Sequence, residues 1–155
     1  MILTSSCDRD HAIQNILTSA FSNAGQKCSA CSLLILEKDI YHDHTFREKL
    51  KDAVLSLHAG SAWDPANIVG PMVTNKNDKL FKAFELEPGE EWLVEPVFAD
   101  EEQYVLKPAV KLGVKADSYT FRTELFAPLL AIVCMDNLER GIQLANSTEY
   151  GLTSG

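Results

Sequence analysis

Residues 23–32 read Asn-Ala-Gly-Gln-Lys-Cys-Ser-Ala-Cys-Ser and join an amphipathic helical run to a short apolar run, Leu33-Leu34-Ile35-Leu36. A helix-to-strand turn of this kind holds a side chain at a sheet edge, where a ligand can reach it. Cys28 is therefore the candidate nucleophile, and the chemistry open to it is covalent. The residues alone leave other readings open. Free cysteine is among the most buried residue types, so a structural thiol is one of them. Cys28-Ser29-Ala30-Cys31 also has the C-x-x-C spacing of a redox pair. That motif usually opens a helix, where the dipole favours the thiolate, whereas a β-type run follows here. A zinc site needs a second cysteine pair, and Cys7 and Cys134 are isolated. Lys27 adjoins the thiol, but neighbours along an extended chain point apart, so activation has to come from elsewhere.

The elements that must position this turn follow from periodicity. Ile13, Ile16, Leu17, Ala20, Phe21 and Ala24 repeat at helical spacing, with Asp8 as cap, Asp10 in the first turn and Gly25 at the end. Glu37-Lys38-Asp39 closes the strand after the cysteine. A second helix, capped by Asp43 or Thr45, buries Phe46, Leu50, Ala53, Val54 and Leu57 before Gly60. His42 and His44 flank its cap and read as exposed surface rather than metal ligands. Residues 61–71 form a loop, with Trp63 and Ile68 expected to pin it to the body. A third helix from about Asn75 is expected to bury Leu80, Phe81 and Phe84 and to end before Pro88-Gly89.

From Trp92 the texture becomes β-type. Trp92-Leu93-Val94, Tyr104-Val105-Leu106 and Val110-Lys111-Leu112 are short runs, and Pro96 and Pro108 suggest edge positions. Residues 129–134, Leu-Leu-Ala-Ile-Val-Cys, form an unbroken apolar run, as a strand covered on both faces requires, with Cys134 as a core thiol. Asp136 and Glu139 have capping-box spacing and open a last helix with Leu138, Ile142 and Ala145 inward. Helices alternating with apolar strands predict an α/β class, with helices packed over a largely parallel sheet.

Composition narrows the function classes. The 155 residues suffice for one domain with a core, at 46% apolar content. A net charge of −8 disfavours nucleic acid and anionic membrane, which reward clustered Lys and Arg. The acidic residues, densest from Glu85 to Glu91, read as solvated surface. No apolar run approaches the roughly 20 residues of a membrane span, and no basic segment leads into an apolar one at the start. Four cysteines without framework spacing suggest a reducing, cytoplasmic compartment. Ile2-Leu3-Thr4 begins like part of a strand and the chain stops at Leu152-Thr153-Ser154-Gly155, so both ends read as cut from a longer protein.

The wording around Cys28 goes further. Gly-Gln-Lys-Cys-Ser-Ala after the Asp-x-Asp-x-Ala helix, Val69-Gly70-Pro71-Met72, Thr123-Glu124-Leu125-Phe126-Ala127-Pro128, and Asn146-Ser147-Thr148-Glu149-Tyr150-Gly151-Leu152 occur in that order. Together they resemble the nucleophile segment, Gly-Pro loop, cofactor motif and Asn-x-Thr-x-Tyr-Gly-Leu stretch of the aldehyde dehydrogenase superfamily. With Tyr119-Thr120-Phe121-Arg122, the wording is most similar to the glutamate-semialdehyde (1-pyrroline-5-carboxylate) dehydrogenases, in particular the dehydrogenase half of bifunctional proline-utilisation proteins.

The resemblance implies that residues 1–155 are part of the cysteine-bearing catalytic domain of a homo-oligomeric parent enzyme, with the dinucleotide-binding domain outside this chain. It implies NAD as cofactor and a small aldehyde as substrate. Cys28 would then be catalytic, Ser29 a substrate contact, Glu124 the ligand of the nicotinamide-side ribose, and Phe126 a neighbour of the nicotinamide. Ala127 stands where many members have Gly. The family's general base lies in a Glu-Leu-Gly-Gly segment, which does not occur in these residues. Two other classes stay open: a non-catalytic interaction or scaffold domain derived from the enzyme, and a thiol redox module using Cys28 and Cys31.

Overall fold

The computed structural model describes residues 1–74, 77–102 and 104–155. Asp8 caps helix α1 (Arg9–Phe21) by accepting from the His11 N–H at 2.9 Å, which satisfies one of the amides that a helix start leaves unpaired. The helix buries Ala12, Ile13, Ile16, Ala20 and Phe21, so the predicted stripe holds. A 3-10 turn (Ser22–Gly25) follows. Strand β1 (Ile2–Leu3) precedes the helix, and β2 (Leu33–Glu37) follows the cysteine turn. A short helix α2 (Lys38–Tyr41) leads into α3 (His44–Leu55), which Asp43 caps through the Phe46 N–H at 3.2 Å. Helix α4 (Asp78–Phe84) opens on Asn77; the start expected at Asn75 lies outside the described residues.

Next come β3 (Glu91–Val94), β4 (Phe98–Asp100), β5 (Val105–Leu106) and β6 (Ala109–Leu112). The chain ends through α5 (Tyr119–Arg122), β7 (Leu129–Met135) and α6 (Leu138–Ala145). The main sheet has the order β1-β2-β7-β6-β3, and β4 pairs with β5 in a separate two-stranded sheet. All main-sheet pairs are parallel except β3 with β6. This is the expected α/β architecture.

Alternation along the central strands explains why they read as unbroken apolar runs. Leu34, Leu36, Leu130 and Ile132 face α1 and α3, packing in one core with Ile16, Phe21, Phe46 and Leu50. Ile35, Ala131, Val133 and Met135 point the other way, against Phe121 and Leu144. Phe21 and Phe46 are wholly buried, each stabilising the fold by about 2–3 kcal/mol.

Several expectations need correction. Cys134, the next-to-last residue of β7, is exposed rather than a core thiol. Trp63 is 96% exposed and Ile68 is exposed too. The loop is held instead by its backbone, with Ile68 and Val69 N–H both donating to the His58 carbonyl, and by the buried Val69 and Met72. In α4 Ala83 is buried while Phe81 is exposed. Helix α6 is capped by Asn137 rather than Asp136 and turns Gly141 and Leu144 inward, leaving Leu138 and Ile142 exposed. A Cβ at Gly141 would strike the Met135 sulfur, so the helix packs on the sheet along its smallest residue. Pro108 follows β5, an edge position, but directly precedes the interior strand β6. Glu90 is buried, not solvated, because its carboxylate pairs with the wholly buried Lys111. His42 and His44 are exposed as expected.

Candidate active site

The turn that carries the candidate nucleophile is built from left-handed backbone. Asn23, Ala24 and Gly25 have φ of 53°, 55° and 66°, a run that L-residues seldom sustain and that reverses the chain sharply after α1. Gly25 is required by space as well as by angle. A Cβ there would lie 2.8 Å from the Ala127 carbonyl carbon and closer still to its oxygen. The cysteine turn and the Glu124–Pro128 segment are thereby packed backbone against backbone, although about a hundred residues separate them.

The Ala30 N–H then donates to the Lys27 carbonyl at 3.0 Å, so Cys28 and Ser29 occupy the two central positions of a β-turn. Both are exposed. The Cys31 N–H returns to α1 by donating to the Ser19 carbonyl at 3.0 Å. Its thiol donates to the Leu33 carbonyl at 3.3 Å, and burial pushes it above the ordinary thiol range. Burial raises Cys134 as well, aided by the nearby Asp136 charge. Cys28 is thus the exposed thiol at a turn centre, and Cys31 already belongs to the start of the strand.

Gln26 ties this turn to the Gly-Pro loop. Its Oε1 accepts from the Val73 N–H at 2.8 Å, and its Nε2 donates at 3.4 Å to the carbonyls of Pro71 and Asn23. The Glu124 loop is fixed on its other sides. Asn77 Nδ2 donates to the Leu125 carbonyl at 3.0 Å, and the Glu124 N–H donates to the Tyr150 hydroxyl at 3.2 Å. Arg122 donates from Nε to the Ala116 carbonyl at 2.6 Å and from Nη1 to the Ser147 carbonyl. Glu124 itself is exposed, and Phe126, with φ of 52°, is held 44% exposed beside it. The nucleophile turn and the Glu124 loop lead into β2 and β7, whose parallel pairing sets Leu33 opposite Ala131 at the same end of the sheet. An exposed thiol thus lies on one turn, and an exposed carboxylate and a half-exposed aromatic ring lie on the loop packed against that turn's backbone.

Three contributors went unremarked in the sequence. Gln26 and Tyr150 lay inside the quoted stretches, but nothing in a linear sequence assigns a staple to either. Asn77 carried a readable signal as a helix cap, since its Oδ1 accepts from the Leu80 N–H at 3.1 Å; its second bond, to Leu125, is visible only in three dimensions.

The described residues include no group of three or more His, Cys, Asp or Glu able to hold a metal ion. The family model described as "Aldehyde dehydrogenase family" matches residues 1–155. This chain belongs to the aldehyde dehydrogenase family. It is 34% identical over 156 residues to the 1-pyrroline-5-carboxylate dehydrogenase of Staphylococcus haemolyticus, covering 99% of this chain and 30% of that protein. Among solved structures, Proline Utilization A from Corynebacterium freiburgense superposes with a TM-score of 0.88 at 35% identity, covering 94% of this chain and 15% of that one. A 1-pyrroline-5-carboxylate dehydrogenase from Thermus with bound NAD gives a TM-score of 0.86 at 26% identity, covering 97% and 29%. The chain therefore spans about 30% of the length of the curated relatives it matches.

Proposed function

We propose that this chain is the cysteine-bearing part of a dehydrogenase that oxidises glutamate γ-semialdehyde to glutamate, with Cys28 as nucleophile. The observation that carries the reading is that four sequence stretches, one of them the turn with the exposed Cys28, are joined to one another in the fold. Gly25 packs on Ala127, Gln26 holds Pro71 and Val73, and Tyr150 and Ser147 hold the segment around Glu124. Matches to relatives named 1-pyrroline-5-carboxylate dehydrogenase support the substrate.

Cys28 loses its proton to a base outside this chain, and its sulfur adds to the aldehyde carbon to give a thiohemiacetal. The backbone N–H of Cys28 is suited to stabilise the oxyanion that forms. In this reading Ser29, exposed beside Cys28 at the turn centre, contacts the substrate close to the sulfur. After oxidation the acyl group is left as a thioester on Cys28, and water releases it as the carboxylate with help from a base outside this chain. The residues fit the ribose–nicotinamide end of NAD. An exposed carboxylate at Glu124 can accept from two ribose hydroxyls, and the face of Phe126 beside it is open. NAD, when bound, supplies the hydride acceptor. The reading extends to a cytoplasmic parent, for which four free thiols are the supporting observation, and to a homo-oligomer, which rests on the family resemblance alone. No helix among the described residues is long and apolar enough to cross a membrane. A Cys28–Cys31 redox pair has less support, because Cys31 is bonded to its own strand and held protonated by burial.

The test uses the complete enzyme that carries this chain. Cys28→Ala should abolish NAD-dependent oxidation of glutamate semialdehyde while leaving NAD binding within about twofold, since Cys28 makes none of the proposed cofactor contacts. Residual turnover by that variant at a tenth or more of the wild-type rate, roughly, would remove Cys28 from the chemistry.

A further inference from the structure

The chemistry above does not use Lys111, and packing alone does not explain its place in the fold. It lies on the interior strand β6, wholly buried, where a lysine is costly unless its donors are matched. Most of its bonds go to the two helices that flank the Glu124 loop, and one goes to Glu90 just before β3. Its Nζ donates to the carbonyls of Ala83 at 2.6 Å and Glu85 at 2.8 Å, at the C-terminal end of α4. It donates to Thr120 Oγ1 on α5 at 3.2 Å and pairs with Glu90 Oε2 at 3.1 Å. The same Glu90 oxygen accepts from the Glu87 N–H at 3.0 Å, and Glu87 Oε1 accepts from the Tyr119 N–H at 2.6 Å, at the first residue of α5. The Trp92 ring lies over the Lys111 Nζ at 5.0 Å.

We infer that Lys111 is a positioning residue for the Glu124–Phe126 loop, acting through Thr120 and α4. Helix α5 ends at Arg122, two residues before Glu124, so what fixes α5 fixes where the loop begins. Helix α4 grips the same loop from its other end, through Asn77 on the Leu125 carbonyl. Lys111 joins the two helices at their far ends. The loop is thereby held at Leu125 and at its approach by one closed set of bonds. The exposed Glu124 carboxylate and the half-exposed Phe126 ring are then carried on a backbone that these bonds hold in place. A hydrocarbon in place of Lys111 could fill the core, but it could not bind three oxygens on two helices at once.

The inference rests on the reading of Glu124 and Phe126 as cofactor residues, and the test separates the two. In the complete enzyme, hydrogen–deuterium exchange without NAD reads the loop, and NAD titration reads its use. Thr120→Val removes the hydroxyl and keeps the shape; Thr120→Ser keeps the hydroxyl. Thr120→Val should speed exchange at residues 123–126, leave β2 amides unchanged, and weaken NAD binding by about fivefold or more, the low end of coupling between linked sites. Thr120→Ser should match the wild type in both. Lys111→Met combined with Glu90→Gln removes the ion pair without stranding a charge, and should reproduce the Val result. If that double variant does not fold, the Thr120 pair decides. Unchanged exchange at residues 123–126 in Thr120→Val, or unchanged NAD affinity there while Glu124→Gln loses it, overturns the inference alone. NAD affinity unchanged in Glu124→Gln overturns the cofactor reading, and the inference with it.

Discussion

The thiols of this chain differ in their surroundings, and alkylation rates should read the difference residue by residue. Cys28 is exposed at the centre of a turn, while Cys31 is bonded to the Leu33 carbonyl and raised by burial, and Cys134 is raised by burial and by Asp136. Because the thiolate is the nucleophile, a raised pKa means slower labelling near neutrality and a rate that keeps climbing at higher pH. Limiting iodoacetamide near pH 7.5, followed by peptide mapping, should therefore modify Cys28 before Cys31 or Cys134. Labelling of the latter two should keep rising as pH climbs beyond the ordinary thiol range. Preferential modification of Cys31 near neutrality would contradict the assignment. Ser29 offers a second residue-scale test. If it contacts the substrate, Ser29→Ala in the complete enzyme should raise KM for glutamate semialdehyde more than for propanal. Equal changes for both aldehydes would reduce Ser29 to a packing residue.

Between elements, the decisive contact is the approach of the nucleophile turn to the loop before β7, and it depends on Gly25. The left-handed φ of 66° alone costs a side chain about 1–2 kcal/mol. The collision with the Ala127 backbone adds to that, because main chain cannot rotate aside. Gly25→Ala should therefore lower unfolding stability by more than about 2 kcal/mol in a urea titration. It should also reduce kcat in the complete enzyme, since Cys28 and Glu124 would be forced apart. A loss below about 1 kcal/mol would show that the two segments are not in this contact. What could be read from the sequence follows the same division. Helices α1 and α3 were legible because one apolar stripe and one acidic cap agreed in each. Helix α6 was not, because Leu138 and Ile142 mimic an inward face while the true contact runs through Gly141, which carries no hydrophobic signal. Glu90 and Lys111 each read as ordinary charges; only the fold brings two residues 21 positions apart into one buried pair. The site residues came from the order and wording of motifs, whereas the bonds of Gln26, Asn77 and Tyr150 that join those motifs came from the fold.

At the scale of the whole molecule, the proposed function gives the chain one end of a cofactor site. In that reading Glu124 and Phe126 meet the ribose–nicotinamide end, but the sequence contains no Gly-x-Gly-x-x-Gly turn to cradle a pyrophosphate. A single ribose clamp contributes roughly 2–3 kcal/mol through hydrogen bonds to a charged group, and millimolar affinity already requires about 4 kcal/mol. These 155 residues by themselves should therefore bind NAD with a Kd above about 1 mM. Turnover should fail for an independent reason. Release of the acyl group needs a base to activate water, and the Glu-Leu-Gly-Gly segment that supplies it in the family is absent from this sequence. Titration calorimetry with NAD tests the first half. An absorbance assay for NADH with glutamate semialdehyde, read at enzyme concentrations high enough to see a single turnover, tests the second. Micromolar binding would mean that residues outside the Glu124 loop hold the dinucleotide, and steady NADH production would mean that a base within these residues releases the thioester.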